Sequence, residues 1–123
     1  MTNFSRLSVL LVEDEFLIAL DAEQLLRELG VKSVEIAATI KAAEKRANEG
    51  AFDLAVLDLN LNGELSLPIA ELLRQRGIPV VFATGYELKN RPLSGFETDV
   101  YITKPYTGER LQKALAAALG KPN

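Results

Sequence analysis

The sequence predicts an α/β protein built on a parallel sheet with helices on both of its faces. Short apolar runs typical of buried strands alternate with segments of helical periodicity along the 123 residues. Five such β–α units in succession, with no internal repeat or linker, predict one sheet with right-handed crossovers. The expected strand order is 2-1-3-4-5.

The individual elements follow from these patterns. The strands are expected at Leu7 to Val12, Ser33 to Ala37, Leu54 to Asp58, Pro79 to Ala83 and Val100 to Thr103. Four helices are expected: one through Ile18 to Leu29, stopped by Gly30; one through Ile40 to Ala47, stopped by Gly50; one from Ser66 to Arg76; and one capped by Thr107. Between strands four and five, Leu88 to Phe96 is rich in poor helix formers, so a short or irregular fourth helix is expected there.

Composition excludes several classes of function. The net charge is −3 and the basic residues are scattered, which argues against nucleic acid or an anionic membrane as a partner. There is no histidine and no cysteine, so imidazole or thiolate metal sites and Ser-His nucleophile pairs are absent. Without an apolar run of membrane-spanning length or a signal-peptide pattern, we expect a cytoplasmic protein.

Polar side chains follow four of the five predicted strands, where each strand ends. Glu13 and Asp14 follow the first strand, Asp58 ends the third, Thr84 ends the fourth and Lys104 follows the fifth. Because the carboxyl ends of parallel strands meet at one edge of the sheet, these groups are expected to lie together. Carboxylates this close repel one another unless they bind a proton or a cation, and an all-oxygen cluster suits Mg²⁺ or Mn²⁺.

Each residue taken alone has a more ordinary interpretation. Asp14 is a common type of helix N-cap, Lys104 an ordinary surface lysine and Thr84 a turn residue. Their convergence on one edge of one sheet is what favours a functional site.

The same residues resemble a known family. The strings Val9 to Glu15, Val56 to Asn60 and Thr103 to Pro105 are similar to the acidic pair, the phosphoacceptor strand and the Lys-Pro motif of CheY-like receiver domains of two-component response regulators. The resemblance covers essentially the whole chain. It implies a flavodoxin-like (βα)5 three-layer sandwich, a single receiver domain over residues 1–123 with no output domain, and a signalling switch rather than an enzyme with an external substrate.

The resemblance also implies a role for each site residue. Asp58 would accept a phosphoryl group from a phosphohistidine of a sensor histidine kinase or histidine phosphotransferase. Asp14, Asp58 and the backbone carbonyl of Asn60 would bind Mg²⁺ directly, and Glu13 through a water. Lys104 and Thr84 would contact the phosphoryl group.

Two further features are implied in the same way. Tyr101 stands where the family carries a rotating aromatic, so it is expected to act as a switch together with Thr84; the alternative is a strand tyrosine packed in one position. The peptide bond between Lys104 and Pro105 is expected to be cis, as it is in the family.

The string Pro79 to Tyr86 resembles a subgroup of single-domain receivers with a Pro-Phe-x-Phe-Ala-Thr-Gly-Tyr signature, except that Val80 replaces the first Phe. That subgroup is associated with bacterial stress responses.

Three other functions fit parts of the pattern. An aspartyl-phosphate hydrolase of the haloacid dehalogenase type needs a second Asp two residues after the nucleophile, where this chain has Asn60. A nucleotide or flavin site would need a glycine-rich phosphate loop, which the sequence lacks. A receiver-like adaptor that binds a partner without phosphorylation is not excluded by the sequence.

Overall fold

A computed structural model describes residues 4–85, 95 and 99–120. The strands are β1 (Ser8–Val12), β2 (Ser33–Ala37), β3 (Leu54–Asp58), β4 (Asn60–Leu61), β5 (Glu64–Leu65), β6 (Val80–Thr84) and β7 (Val100–Thr103). The helices are α1 (Phe16–Glu28), α2 (Ile40–Glu49), α3 (Leu67–Gln75) and α4 (Gly108–Gly120).

The main sheet has five parallel strands in the order β2-β1-β3-β6-β7. Because β4 and β5 form a separate two-stranded hairpin, this is the predicted order 2-1-3-4-5, and the prediction of a parallel α/β sandwich is confirmed. Strand β3 is central and buried along its whole length, which explains the uninterrupted apolar run before Asp58.

Helices cover both faces of the sheet, and successive strand residues point to opposite faces. On one side Leu11 and Val56 pack with α1 and α4, and on the other side Leu10 and Leu57 pack with α2 and α3. Packing between these two apolar layers fixes the positions of the strands, and therefore the backbone positions of the residues at the strand ends.

Helix boundaries have local causes. The hydroxyl oxygens of Thr39 and Thr107 accept backbone N–H groups of the first turns of α2 and α4, from Ala42 at 3.0 Å and from Arg110 at 3.2 Å. Gly30, after α1, has a φ of 93°, a left-handed conformation that favours glycine. The predicted cap at Thr107 and the predicted stop at Gly30 are confirmed.

The hairpin of β4 and β5 lies directly after Asp58, and its turn is formed by Asn62 and Gly63. Both turn residues have positive φ, 51° for Asn62 and 87° for Gly63, which is the backbone of the tight turn that joins two antiparallel strands. Leu61 is buried against the α2–α3 layer and anchors the hairpin to the sheet.

The expected short or irregular helix at Leu88 to Phe96 lies outside the described residues, except for Gly95. In the described ranges, no helix combines the length and the apolar character needed to cross a bilayer.

Candidate functional site

The carboxyl edge of the sheet gathers the residues that the sequence placed there. Glu13 and Asp14 follow β1, Asp58 ends β3, Thr84 ends β6 and Lys104 follows β7. Glu13, Asp58 and Thr84 are buried, whereas Asp14 and Lys104 are partly exposed. The edge therefore combines two buried carboxylates, those of Glu13 and Asp58, with a carboxylate and an ammonium group that solvent and solutes can reach.

Lys104 bridges two of the three carboxylates. Its Nζ donates to Oδ2 of Asp58 at 2.9 Å and to Oε1 of Glu13 at 3.2 Å. The side chain of Lys104 is 20% exposed, while those of Glu13 and Asp58 are 1% and 5% exposed. Its backbone N–H donates to the Thr84 carbonyl at 2.9 Å, and the peptide bond to Pro105 is cis.

The burial and proximity of these charges shift their pKa values. Burial, the largest cause, and the charge of Asp58 raise the pKa of Glu13, and the N–H of Glu15 and the ammonium of Lys104 lower it; together they bring it to about 7. For Lys104, burial lowers the pKa, but its hydrogen bond to Asp58 and the attraction of both carboxylates outweigh burial and raise it overall. One lysine thus incompletely offsets the acidic cluster.

Asp14 does not cap α1. The helix begins after Glu15, whose N–H donates to Oε2 of Glu13 at 3.1 Å. The carboxylate of Asp14 instead accepts the backbone N–H of Asn62 at 3.1 Å. The helix-cap alternative for Asp14 is therefore wrong in this structure, and Asp14 is tied to the hairpin across the edge.

The phosphoacceptor candidate, Asp58, is held through its side chain and its backbone. Oδ1 accepts the N–H of Asn60 at 3.1 Å, while Oδ2 accepts from Lys104. The backbone carbonyl of Asp58 accepts the hydroxyl of Ser66 at 2.7 Å, and Ser66 is completely buried. Sequence reasoning treated Ser66 only as the start of a helix and missed this contact.

One oxygen each of Glu13, Asp14 and Asp58 lies within 4.8 Å of the others, close enough to surround one ion. Oxygen ligands of this charge fit Mg²⁺, which binds through one or two carboxylates and keeps several waters.

The hairpin of β4 and β5 adds an uncharged candidate metal ligand, the backbone carbonyl of Asn60. Ser66 N–H donates to the Leu59 carbonyl. Because hydrogen-bonded and non-hydrogen-bonded pairs alternate in an antiparallel ladder, the next pair, Asn60 with Leu65, is a non-hydrogen-bonded pair. The Asn60 carbonyl therefore does not bond to β5 and is available to bind an ion. The residues present fit the cation that the sequence predicted.

The other predicted residues lie close by. Thr84 pairs in register with Thr103, immediately before Lys104. Tyr101 is half-buried, and its ring stacks on that of Phe82 with centroids 5.2 Å apart and planes 22° apart. Phe82 is fully buried, so Tyr101 packs on the core layer that faces α2 and α3.

A groove of about 520 Å³ adjoins Lys104 between α1 and the segment that joins β7 to α4. It is lined by Leu17, Ile18, Asp21, Ala22, Lys104, Pro105 and Tyr106. Leu17 and its neighbour Phe16 are 77% and 72% exposed, unusual for large apolar side chains. The hydroxyl of Tyr106 is buried and has no hydrogen-bond partner within the described part of the chain. Burial, with nearby Glu13, Asp58 and Asp21, raises its pKa.

Fold and site together define a class of protein: a parallel α/β domain with an acidic, lysine-bridged cluster at the carboxyl edge of its sheet. The sequence model of the response regulator receiver domain family matches residues 9–116. The chain belongs to that family, whose members are signalling switches phosphorylated by histidine kinases.

Individual relatives agree. The sensory transduction protein LytT of Bacillus subtilis is 35% identical over 114 residues, which cover 89% of this chain and 46% of LytT. The solution structure of SdrG from Sphingomonas melonis Fr1 has a TM-score of 0.80 at 41% identity and covers 97% of this chain and 99% of SdrG. A BeF3-activated conformation of SdrG also matches, with a TM-score of 0.79 at 39% identity, 97% of this chain and 99% of that one.

The structure of the PhyR stress response regulator is 33% identical with a TM-score of 0.78, and the match covers 93% of this chain and 45% of that chain. The chain spans about half the length of LytT and of similar curated relatives.

Proposed function

We propose that this protein is a Mg²⁺-dependent phosphoacceptor that takes a phosphoryl group on Asp58 from a phosphohistidine of a sensor histidine kinase or histidine phosphotransferase. The observation that carries the proposal is the contact of Lys104 Nζ with both Asp58 and Glu13, with Asp14 beside them at the same edge. Phosphoryl transfer is catalysed mostly by position and charge, and this edge supplies both a fixed carboxylate and a cation.

In the transfer, an oxygen of Asp58 attacks phosphorus in line with the imidazole nitrogen of the donor. The new bond joins a carboxylate oxygen to phosphorus, the phosphorus–nitrogen bond breaks, and its electron pair stays on the imidazole. Asp58 is suited to this role because Asn60 N–H and Lys104 fix its carboxylate and Ser66 fixes its backbone. Bound Mg²⁺, or Mn²⁺, would neutralise charge on the transferred group.

Asp14, Asp58 and the Asn60 carbonyl would hold the ion directly, and Glu13 would act through a water. Glu13 suits the outer position because it is the most buried of the three carboxylates and already accepts from Glu15 N–H and Lys104. Lys104 would move from the carboxylates to the phosphoryl oxygens as a point charge.

The response to phosphorylation would spread from Thr84. Its hydroxyl would donate to the phosphoryl group, and its backbone is bonded to Lys104, so a shift at the end of β6 acts on β7 directly. Tyr101 would change its packing on Phe82 in response, which gives a two-state element biased by one local change in charge.

The donor would approach over the groove beside Lys104. Exposed Leu17 lines this groove and exposed Phe16 precedes it on α1, so both would offer apolar contacts to a protein donor. We further propose that the protein works in a stress-response pathway. The likeness to the PhyR stress response regulator and the Pro79 to Tyr86 string support this.

Mass spectrometry after treatment with acetyl phosphate and Mg²⁺ tests the proposal. The wild type should gain one phosphoryl group and Asp58→Asn none. Asp53→Asn is the matched control because Asp53 lies just before the same strand at its opposite end, where its carboxylate accepts Ser8 N–H; it should label as the wild type does. Stoichiometric labelling of Asp58→Asn, or no Mg²⁺-dependent labelling of the wild type, would refute the proposal, and the second result would indicate a phosphorylation-independent adaptor.

A further inference from the structure

We propose that the side chain of Asn60 is a positioning residue for the cation site, because it locks the turn that holds Asp14 in place. This inference rests on the proposed Mg²⁺ site and adds a residue whose side chain neither binds the ion nor touches the phosphoryl group. The sequence analysis assigned Asn60 a role at the cation site only through its backbone carbonyl.

Two hydrogen bonds link Asn60 to Asp14 through the turn. Oδ1 of Asn60 accepts the N–H of Gly63 at 2.8 Å. The preceding residue of the same turn, Asn62, donates its N–H to Oδ2 of Asp14 at 3.1 Å. The Asn60 side chain therefore restrains the peptide group between Asn62 and Gly63, and the adjacent peptide group, between Leu61 and Asn62, donates to a predicted metal ligand across the edge.

The turn needs such a lock because the hairpin is small. Each strand has two residues, and an isolated two-stranded hairpin is marginally stable in water. Both turn residues adopt positive φ, which is accessible but entropically costly to hold. Buried Leu61 anchors one strand, whereas Glu64 and Leu65 on the other strand are exposed, so little packing restrains the turn itself.

The hydrogen bond from Gly63 N–H to the Asn60 side chain also affects a second candidate ligand, the backbone carbonyl of Asn60. The Asn60 carbonyl lies in a non-hydrogen-bonded pair of the hairpin, so its direction depends on the hairpin remaining folded. If the turn opens, Asp14 loses its N–H partner and the Asn60 carbonyl loses its fixed direction together. Losing the hydrogen bond between Asn60 Oδ1 and Gly63 N–H should therefore lower the free energy of Mg²⁺ binding more than it lowers the free energy of unfolding.

The test measures the Mg²⁺ dissociation constant of the unphosphorylated protein by NMR titration. Asn60→Ala removes the acceptor and should bind Mg²⁺ about three- to tenfold more weakly, the factor that one net hydrogen bond gives. Asn48→Ala is the matched control: it makes the same substitution at an exposed position of α2. It should bind Mg²⁺ within about twofold of the wild type, as a surface substitution away from the site does.

A second measurement needs no variant. In the wild type, the amide resonances of Asn62 and Gly63 should shift along the Mg²⁺ titration with the same midpoint as Asp14. An unchanged affinity in Asn60→Ala, an equal loss in Asn48→Ala, or Asn62 and Gly63 amide resonances that do not shift in the wild type would overturn the inference while leaving the metal site intact. A wild type that binds no Mg²⁺ would overturn both this inference and the proposed Mg²⁺ site.

Discussion

Replacing Lys104 by methionine tests how the site balances its charge, because it removes the ammonium and keeps a similar apolar stem. Two charge-assisted hydrogen bonds are lost, to Asp58 and to Glu13, whose side chains are 5% and 1% exposed. Breaking a buried pair on one side costs about 3–5 kcal/mol. Here the loss should be smaller, about 2–3 kcal/mol near pH 8, because Lys104 is a fifth exposed and Glu13 can bind a proton instead.

The pH dependence of that loss follows from Glu13. Its pKa is about 7 in the folded protein and 4.5 unperturbed. Near pH 5 Glu13 is mostly protonated, so Lys104 balances chiefly Asp58, and the variant should lose only about 1 kcal/mol, the size of one hydrogen bond. Near pH 8 Glu13 is mostly ionised in the wild type, so the variant must either leave that charge unpaired or bind a proton there, and the loss should reach about 2–3 kcal/mol. A Mg²⁺ concentration well above the dissociation constant should stabilise the variant more than the wild type, because the ion supplies the missing positive charge.

Urea unfolding followed by far-UV circular dichroism measures these differences, since the chain has no tryptophan. Lys45→Met is the matched control, because Lys45 is exposed on α2 and its removal should change stability by less than about 0.5 kcal/mol. An equal loss for Lys104→Met at both pH values, or no extra stabilisation by Mg²⁺, would show that the ammonium does not balance the two buried carboxylates.

Two further predictions concern single groups at the same edge. Because the folded-state pKa of Glu13 is raised, its contribution makes the metal-free protein less stable as pH rises from about 4.5 to about 7. Glu13→Gln should therefore reduce the dependence of the unfolding free energy on pH in this range. If urea titrations show the same pH dependence in the variant, that dependence comes from other groups. Ser66→Ala removes a buried hydroxyl that donates to the Asp58 carbonyl at 2.7 Å, so it should lower the unfolding free energy by about 1–3 kcal/mol and slow labelling by acetyl phosphate; labelling at the wild-type rate would limit Ser66 to a structural role.

The fold was predictable because its signals are local and repeated. A fully buried central strand requires an uninterrupted apolar run, and Leu54 to Leu57 supply it. Strand β6 begins one residue later than the sequence predicted, at Val80 instead of Pro79. Proline has no N–H to donate to a neighbouring strand, so Pro79 contributes only its carbonyl, which accepts the N–H of Ala55.

The positions of the site residues were predictable because topology places them. The carboxyl ends of parallel strands share one edge, so a polar residue following a buried run indicates where its side chain lies. The hairpin after Asp58 was not predictable, since two-residue strands leave no alternation to detect. The contacts of Ser66 with Asp58 and of Asn62 with Asp14 were missed for a different reason: their strength comes from tertiary proximity, and serine and asparagine at turns have abundant local roles.

The charges at the edge also suggest an order of events. Fully ionised, the three carboxylates and Lys104 carry a net charge of −2, from three negative groups and one positive group. In this structure the ammonium donates to Asp58 and Glu13, so it cannot contact an incoming phosphoryl group without leaving those carboxylates uncompensated. A divalent cation would balance the same charge. We therefore expect cation binding to precede phosphoryl transfer and to release Lys104, so that one side chain stabilises the unphosphorylated fold and then binds the phosphoryl group.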